Sequence, residues 1–569
     1  MATPGSSSTP GKTPAPAKAG AAKTTKTTRT TKAVSTPKGS SVSTPRRKKA
    51  PKQSPMLRSF NPRTGETLGE IPTIDPAEVA EVVARARKVA PEWAAILPAG
   101  RVRILKEVRH RVYELMDEIV DTVAAECGKP RTEALAHDVM PALMMMSYLE
   151  RATEKALKPK RVGRIAGGLL GLSSRVEWRP FGVVGCITPW NYPITNSFLA
   201  FITPLFAGNV VVIKPSEVTP ACGELLRKIL EPLPSGVATV IQGGGDVGAA
   251  LVDAPCDKIS FVGSPHTGRL ICAAAAKHLT PVVMELGGKD AALVASDADV
   301  DVASSGVLWG SFFNAGQTCC SIERVYVVDS IADEFTSALL DKLQKVRLGG
   351  DDGDVGSLTF GRQLDIVKEQ VDDAVKHGAR LLAGGPDAGV VNKDGSLWYA
   401  PTIIENVNDE MKVLHEETFG PVVTITRVQD EDEAVRRANE EATNLTASVW
   451  TKSKKRADEL ARQLRAGAIA SNTHGQLPAV PWASWGGVGE SGFGRLNGEL
   501  GLQEFSVPVH VAINQTPSLK NPWWFPYDDA TRNFTQGAIK LLGSPKIADK
   551  VSGLGDIARN IRTAIKGKL

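Results

Sequence analysis

From Phe181 onward the chain alternates short β-branched runs with helical stretches, and this rhythm restricts it to one broad architecture. Residues 182–188, 210–214, 239–242 and 258–263 are strand-length runs rich in Val, Ile and Thr, and several lead directly into helices. Strands separated by helices run parallel, because a parallel neighbour can be reached only by a long crossover. The predicted fold class is therefore α/β, built on a doubly wound parallel sheet. A second set of runs, including 291–294, 324–328, 422–427 and 446–451, predicts a second α/β domain. Helical periodicity over 76–90 and 101–126 precedes the first sheet, with Asp75 placed to cap a helix that opens on Pro76. The longest apolar stretch, 197–213, contains Pro204 and Gly208. It is short for a membrane span and reads as a buried helix running into a buried strand.

Charge divides the chain into three parts. The net +6 conceals +12 over residues 1–55, which hold no acid, +5 over 515–569, and −11 over the body between them. The first segment is almost entirely Ala, Pro, Thr, Ser, Gly, Lys and Arg, too poor in apolar surface to offset its ordering entropy, so disorder is expected over 1–55. Its Arg46-Arg47-Lys48-Lys49 run would attract anions, but a solubilising tail is the simpler reading, and nucleic acid is not the expected partner. No apolar run follows it, which excludes a secretory signal. The seven cysteines are odd in number and lack CxxC spacing, arguing against a disulfide framework and against zinc. The expected compartment is the reducing cytoplasm, and no metal is expected.

Four separated segments carry chemistry. In Phe313-Asn314-Ala315-Gly316-Gln317-Thr318-Cys319-Cys320 a thiol with small or polar neighbours follows a glycine turn, which suits an exposed nucleophile. Cys320 reads instead as a small buried hydrophobe. Met284-Glu285-Leu286-Gly287-Gly288-Lys289 puts a carboxylate ahead of two glycines that permit close backbone approach. Thr188-Pro189-Trp190-Asn191-Tyr192-Pro193 is a proline-flanked loop after a strand, able to hold an Asn amide where an oxyanion develops. Ile213-Lys214-Pro215-Ser216-Glu217 offers a cation and a carboxylate at a strand end, where cofactors lie in open α/β folds.

Together these segments closely resemble the aldehyde dehydrogenase superfamily over roughly Ser59 to Pro508. The resemblance extends to Phe261-Val262-Gly263-Ser264 with Gly268, to Glu416-Glu417-Thr418-Phe419-Gly420-Pro421, and to the glycine-rich run from Gly486 to Arg495. It implies a Rossmann-like cofactor domain (56–157 and 182–286), an α/β catalytic domain (287–503) and a bridging β-element (158–181 and 504–514). Such elements make homodimers or homotetramers. By the same resemblance Cys319 is the nucleophile, Glu285 the base that activates the deacylating water, and Asn191 a donor to the oxyanion. Lys214 and Glu217 would hold the adenosine ribose. Trp190, Gly263, Ser264 and Gly268 would meet the pyrophosphate, and Glu417 and Phe419 the nicotinamide end. The implied cofactor is NAD, with NADP possible; Glu217 favours NAD because a carboxylate repels a 2′-phosphate. The presence of Glu285 argues against the CoA-acylating branch. Val262 departs from the family pattern, where Thr is common, and bears on cofactor affinity.

The stretches expected to line the aldehyde tunnel, 192–206 and 472–485, contain no Lys or Arg and only His474. A carboxylate-bearing semialdehyde would want a cation there, so a neutral aliphatic or aromatic aldehyde is expected. Arg324 sits at a recurrent family arginine with a structural role. The Cys-Cys-Ser-Ile-Glu-Arg run and the C-terminal extension resemble a bacterial subgroup named for succinate semialdehyde, which stands as the alternative substrate. A non-catalytic membrane- or nucleic-acid-binding protein on the same scaffold is the more distant alternative, because such a protein has no use for Cys319, Glu285 and Asn191. Residues 515–569 form an amphipathic extension. The aromatic run 521–527 is followed by helical segments at 535–542 and 545–566, the second with Ile547, Val551, Leu554, Ile557, Ile561 and Ile565 at three- or four-residue steps. An interfacial membrane anchor and packing on the enzyme body or a neighbouring subunit both fit this pattern.

Overall fold

In the computed structural model, which describes residues 55–162, 172–386, 388, 392, 395–566 and 568, the alternation read from 182 onward becomes two sheets. The first has six strands in the order Gly492–Phe493, Val282–Glu285, Lys258–Val262, Val183–Ile187, Val210–Lys214, Ala238–Val240. All pair in parallel except the short Gly492–Phe493 edge. Val183–Ile187 and Val210–Lys214 are buried at every position, which is why they read as continuous apolar runs rather than alternating ones. The chain steps outward from Val183–Ile187 to Ala238–Val240, then returns to lay Lys258–Val262 on the other side of its starting strand. The strand order therefore reverses beside Val183–Ile187, and the crevice at the carboxyl ends there is the natural ligand site of such a sheet.

The helix Thr195–Ala207 is buried throughout and is stopped by Gly208 at φ 102°, after which Val210–Lys214 begins. The apolar stretch 197–213 is thus a buried helix running into a buried strand, as read. Asp75 caps the turn Pro76–Glu78 by accepting from the Ala77 N–H, and the helix Val79–Ala95 follows. The helix expected over 101–126 differs: it is two, Pro98–Glu114 and Met116–Cys127, joined at Leu115. Backbone bonding continues through the joint, Leu115 N–H to Arg111 and Ile119 N–H to Leu115. The bend lets Leu105, Val108 and Val112 on one segment and Ile119 and Val123 on the other enter the same core.

The second sheet has seven strands in the order Arg380–Ala383, Thr402–Glu405, Val422–Val428, Ile322–Val328, Asp290–Val294, Thr446–Trp450, Ala468–Ser471. Only the outer Arg380–Ala383 pairing is antiparallel. A third, antiparallel sheet joins Ser506–Asn514, Leu172–Pro180 and Lys160–Val162. Beyond it, Asp529–Gly543 and Ile547–Lys566 form a helical hairpin. Among the described residues no helix is long and apolar enough to cross a membrane. The segment expected to be disordered, 1–55, lies outside the described residues except for Pro55.

Candidate active site

The helix Val300–Phe312 ends in a tight turn, Phe313–Gly316, that swings the chain toward the first sheet. Asn314, Ala315 and Gly316 all have positive φ, 52°, 53° and 70°. A Cβ on Gly316 would lie 2.0 Å from the Gly420 carbonyl oxygen, so only glycine fits this turn. The turn presents Cys319 half-buried while Cys320 is fully buried. Contact with Cys320, burial and the Glu285 charge push the Cys319 thiol well above its usual range.

Glu285 ends the strand Val282–Glu285 and is buried. Its Oε1 accepts from Trp485 Nε1–H at 3.0 Å. Burial pushes its carboxyl up to about 7, against the pull of hydrogen bonds from Trp485 and Cys319. A carboxylate poised there can take a proton from water near neutrality.

Asn191 Nδ2–H donates to the Gln317 carbonyl at 3.0 Å, and its Oδ1 accepts from Asn196 Nδ2–H at 3.0 Å. Both ends of the amide are thereby fixed, with the donor aimed at the segment that leads into Cys319. The main chain of the same loop is anchored by residues the sequence reading passed over. Lys129 Nζ donates to the Asn191 carbonyl at 2.8 Å and to Asp138 Oδ2 at 3.0 Å, both side chains fully buried. Asp138 in turn accepts from the Ile194 and Thr195 N–H groups at 3.1 and 3.3 Å. Against the cost of burial, the Asp138 carboxylate holds Lys129 above the usual lysine range. Tyr192, beneath the Lys129 ammonium, shares a 2.6 Å hydrogen bond with Thr318, so the loop of Asn191 and the loop of Cys319 are tied directly.

A cavity of about 860 Å³ runs from Cys319 and Glu285 along the carboxyl ends of the six-stranded sheet to Lys214 and Glu217. Trp190, Asn191, Gly263, Ser264, Glu417 and Phe419 are on its wall. Gly268 is not; it packs one turn into the helix Pro265–Ala276, where a Cβ would meet the Leu286 side chain at 2.8 Å. Ser264 caps that helix, accepting from the Thr267 N–H at 3.3 Å, and the helix N-terminus opens onto the cavity. Lys214 is buried and paired with the more exposed Glu217. Glu417 accepts from the Gly288 N–H at 3.1 Å, and a Cβ on Gly287 would strike its carboxylate, so the paired glycines after Glu285 make room for Glu417. Burial, then the Glu323 charge, raise the Glu417 carboxyl well above its usual range. The Trp190 ring stands edge-on to Phe360 at 4.9 Å and to Phe419 at 5.4 Å.

Lys289 is no surface residue. It is fully buried against Glu323, which also accepts from the Thr418 and Phe419 N–H groups at 2.9 and 3.0 Å and so fixes the Phe419 loop. Arg324 donates to the Lys289 carbonyl at 2.9 and 2.6 Å and to the Tyr326 hydroxyl at 3.1 Å, in keeping with a structural role.

A group of rings lies around Tyr192, which is bonded to Thr318, the residue before Cys319. His137 meets Tyr192, Trp309 and Phe313 at 6.1, 6.0 and 5.6 Å between centroids, and Trp309 stacks on Phe313 at 4.5 Å. Burial lowers both His137 and His474 to about 4, so each is neutral at pH 7. The His137, Trp309 and Phe313 side chains therefore carry no charge at that pH, although the Lys129 ammonium lies over Tyr192. Trp309 stands in the last turn of its helix and Phe313 just past the helix end, four residues on, and that spacing was the signal available for the pair.

Comparison with known proteins now bears on the geometry. The family model described as the aldehyde dehydrogenase family matches residues 49–511. The chain belongs to this family. It is 38% identical to a 4,4′-diapolycopene aldehyde oxidase from a Methylomonas species, over 85% of this chain and 91% of that one. It is 36% identical to a Mycobacterium ulcerans protein provisionally named succinate-semialdehyde dehydrogenase (NADP(+)) 2, covering 81% and 89%. The structure of a Mycobacterium tuberculosis aldehyde dehydrogenase complexed with NAD+ superposes with a TM-score of 0.76 at 30% identity, covering 82% and 95%. The aldehyde dehydrogenase fold expected from the sequence, two α/β layers and an antiparallel element, is the one observed, and the chain is an enzyme of the aldehyde dehydrogenase class.

Proposed function

We propose that this enzyme oxidises a neutral, largely apolar aldehyde to its carboxylic acid with NAD(P)+, through a thioester on Cys319. The observation that carries this reading is the setting of Cys319. A nucleotide-sized cavity and a carboxyl raised to about 7 adjoin it, and Tyr192 links its loop to the uncharged rings of His137, Trp309 and Phe313.

The cavity suits a dinucleotide by its own features. Lys214 and Glu217 would hold the adenosine ribose, and Glu217 favours NAD over NADP. The helix N-terminus at Ser264, with Trp190 and Gly263, would take the pyrophosphate, Gly268 serving by letting that helix pack close. Glu417 and Phe419 would hold the nicotinamide end. When bound, NAD(P)+ supplies the two-electron acceptor for the oxidation.

The chain supplies the rest. Cys319 Sγ loses its proton to solvent water and bonds to the aldehyde carbon, and the carbonyl oxygen takes the electron pair. The Asn191 Nδ2–H and the Cys319 backbone N–H stabilise that oxygen. Once oxidation has occurred, Cys319 carries the acyl group as a thioester. Glu285 takes a proton from water, the water oxygen bonds to the acyl carbon, and the carbon–sulfur bond breaks to release acid and the Cys319 thiolate, which takes the proton back from Glu285.

Residues 56–157 and 182–286 form the cofactor domain and 287–503 the catalytic domain in this reading. The bridging element assigned to 158–181 and 504–514 makes a homodimer or homotetramer. The enzyme is cytoplasmic, with peripheral membrane contact through the C-terminal extension. The Methylomonas relative, named for a polyene aldehyde, favours the apolar substrate; the mycobacterial name favours succinate semialdehyde as the second reading. Reduction of NAD and, separately, NADP is to be measured across neutral aldehydes of increasing length and succinic semialdehyde. The highest kcat/KM is expected for long neutral aldehydes with NAD. A preference for succinic semialdehyde would overturn the substrate assignment.

A further inference from the structure

The C-terminal hairpin carries an apolar face that nothing in the enzyme's chemistry uses. Its two helices meet through glycine: a Cβ on Gly537 would lie 2.7 Å from the Gly553 carbonyl, and one on Gly553 would lie 2.5 Å from that of Gly537. Phe534, Ala538 and Ala564 are buried there, and Lys540 and Arg559 pair with Asp556 at 2.9 and 2.6 Å. The inner faces are thus spent on each other. What remains outside is large and apolar: Ile539, Leu542, Ile547, Val551 and Leu554 are 64, 74, 79, 63 and 51% exposed.

The arrangement on Ile547–Lys566 is directional. At ~100° per residue, Val551, Leu554, Ala558, Ile561 and Ile565 all fall within about 40° of Ile547. Lys550 and Arg562 stand at about 60° on either side of that stripe, and the acids Asp549 and Asp556 fall about 160–180° away. Asp549 faces back to the inter-helix loop, accepting from Ser544 Oγ–H at 2.8 Å. Upstream of the hairpin, Trp524, Phe525 and Tyr527 are exposed, residue types that settle at the headgroup level of a bilayer. An apolar stripe edged by cations, with its acids turned away, complements a surface that is apolar beneath and anionic above.

We propose that residues 529–566 dock in the plane of an anionic lipid bilayer, with Ile547, Val551 and Leu554 inserted and Lys550 and Arg562 at the headgroups. This deepens the peripheral membrane contact proposed above and does not depend on which aldehyde is oxidised.

The test is flotation of the full-length enzyme with vesicles of phosphatidylcholine alone and with 30% phosphatidylglycerol, at low salt and at 0.3 M salt. The higher salt screens the purely coulombic pull of the +12 N-terminal segment but leaves apolar insertion in place. Binding is expected to the anionic vesicles and to persist in part at 0.3 M salt. The Val551→Glu/Leu554→Glu enzyme should bind at least about tenfold more weakly at 0.3 M salt. A second variant, Lys550→Gln/Arg562→Gln, spares the apolar stripe and should narrow the difference between anionic and neutral vesicles. Both variants should keep the wild-type rate on a short, water-soluble aldehyde, whereas a wrong substrate reading would appear only in the aldehyde panel. Equal vesicle binding by wild type and the Val551→Glu/Leu554→Glu enzyme overturns the proposal. So does loss, in that variant, of a self-association seen by light scattering in wild type that binds no vesicle, which would make the occupant a second copy of the chain.

Discussion

Replacing Trp485 by Phe removes one donor from the Glu285 carboxylate while keeping most of the ring. The indole N–H lies 3.0 Å from Oε1 in a buried setting, and the bond favours the ionised form. A hydrogen bond to a charged group contributes about 1.5–3 kcal/mol. At 1.36 kcal/mol per unit, its loss raises a carboxyl that already sits near 7 by roughly one to two units. In the proposed mechanism Glu285 works as a base in its deprotonated form, so deacylation should rise with pH through that value. At pH 7 the ionised fraction should fall from about one half to between roughly one tenth and one hundredth, slowing deacylation about 5- to 50-fold. Rapid-mixing kinetics separate the steps: the burst of reduced cofactor should keep its amplitude, and the slow phase should fall and recover above about pH 9. Glu285→Gln is the control, with a burst and almost no slow phase at any pH. If the slow phase of Trp485→Phe keeps the wild-type pH dependence, Glu285 is not the base, or Trp485 does not set its proton affinity.

Two further outcomes test the scaffold beneath the site. Asn191→Ala removes the proposed oxyanion donor and should lower the single-turnover rate about 10²–10³-fold while the cysteine still reacts with iodoacetamide. Lys129→Met leaves Asp138 buried without its partner and should destabilise the fold by about 3–5 kcal/mol in urea unfolding. An unchanged midpoint would mean that water or a backbone shift replaces the ammonium.

Much of this was legible because the relevant signals are local. A strand buried on both faces must be apolar without alternation, so Val183–Ile187 and Val210–Lys214 stood out directly. Cys319, Glu285 and Asn191 lie in short runs whose glycines and prolines announce tight backbone, and the fold brings those runs together. What escaped was tertiary. No glycine or proline marks the joint at Leu115; it exists because two faces must reach one core. Lys129 and Asp138 are separate charges nine residues apart, and the π-helical turn Leu135–Val139 that carries Asp138 and His137 has no breaker in it. A buried ion pair has no sequence pattern of its own. Trp485 sat in a stretch scanned for cations, where an indole donor to a distant carboxylate gave no sign.

The contact between Gly316 and the Gly420 carbonyl has a consequence for how such an enzyme diversifies. Two backbones 104 residues apart in sequence touch with no room for a methyl group, one leading into Cys319 and the other leaving Phe419. A drift of the Phe419 loop therefore displaces the sulfur as well, so, on the proposed placement of the cofactor, a change of cofactor by altering that loop carries a cost in reactivity. The His137, Trp309 and Phe313 rings stand outside this backbone contact. If these rings face the aldehyde as proposed, selection can retune them by ordinary side-chain exchange, while the Phe419 loop is held to a narrow set of solutions.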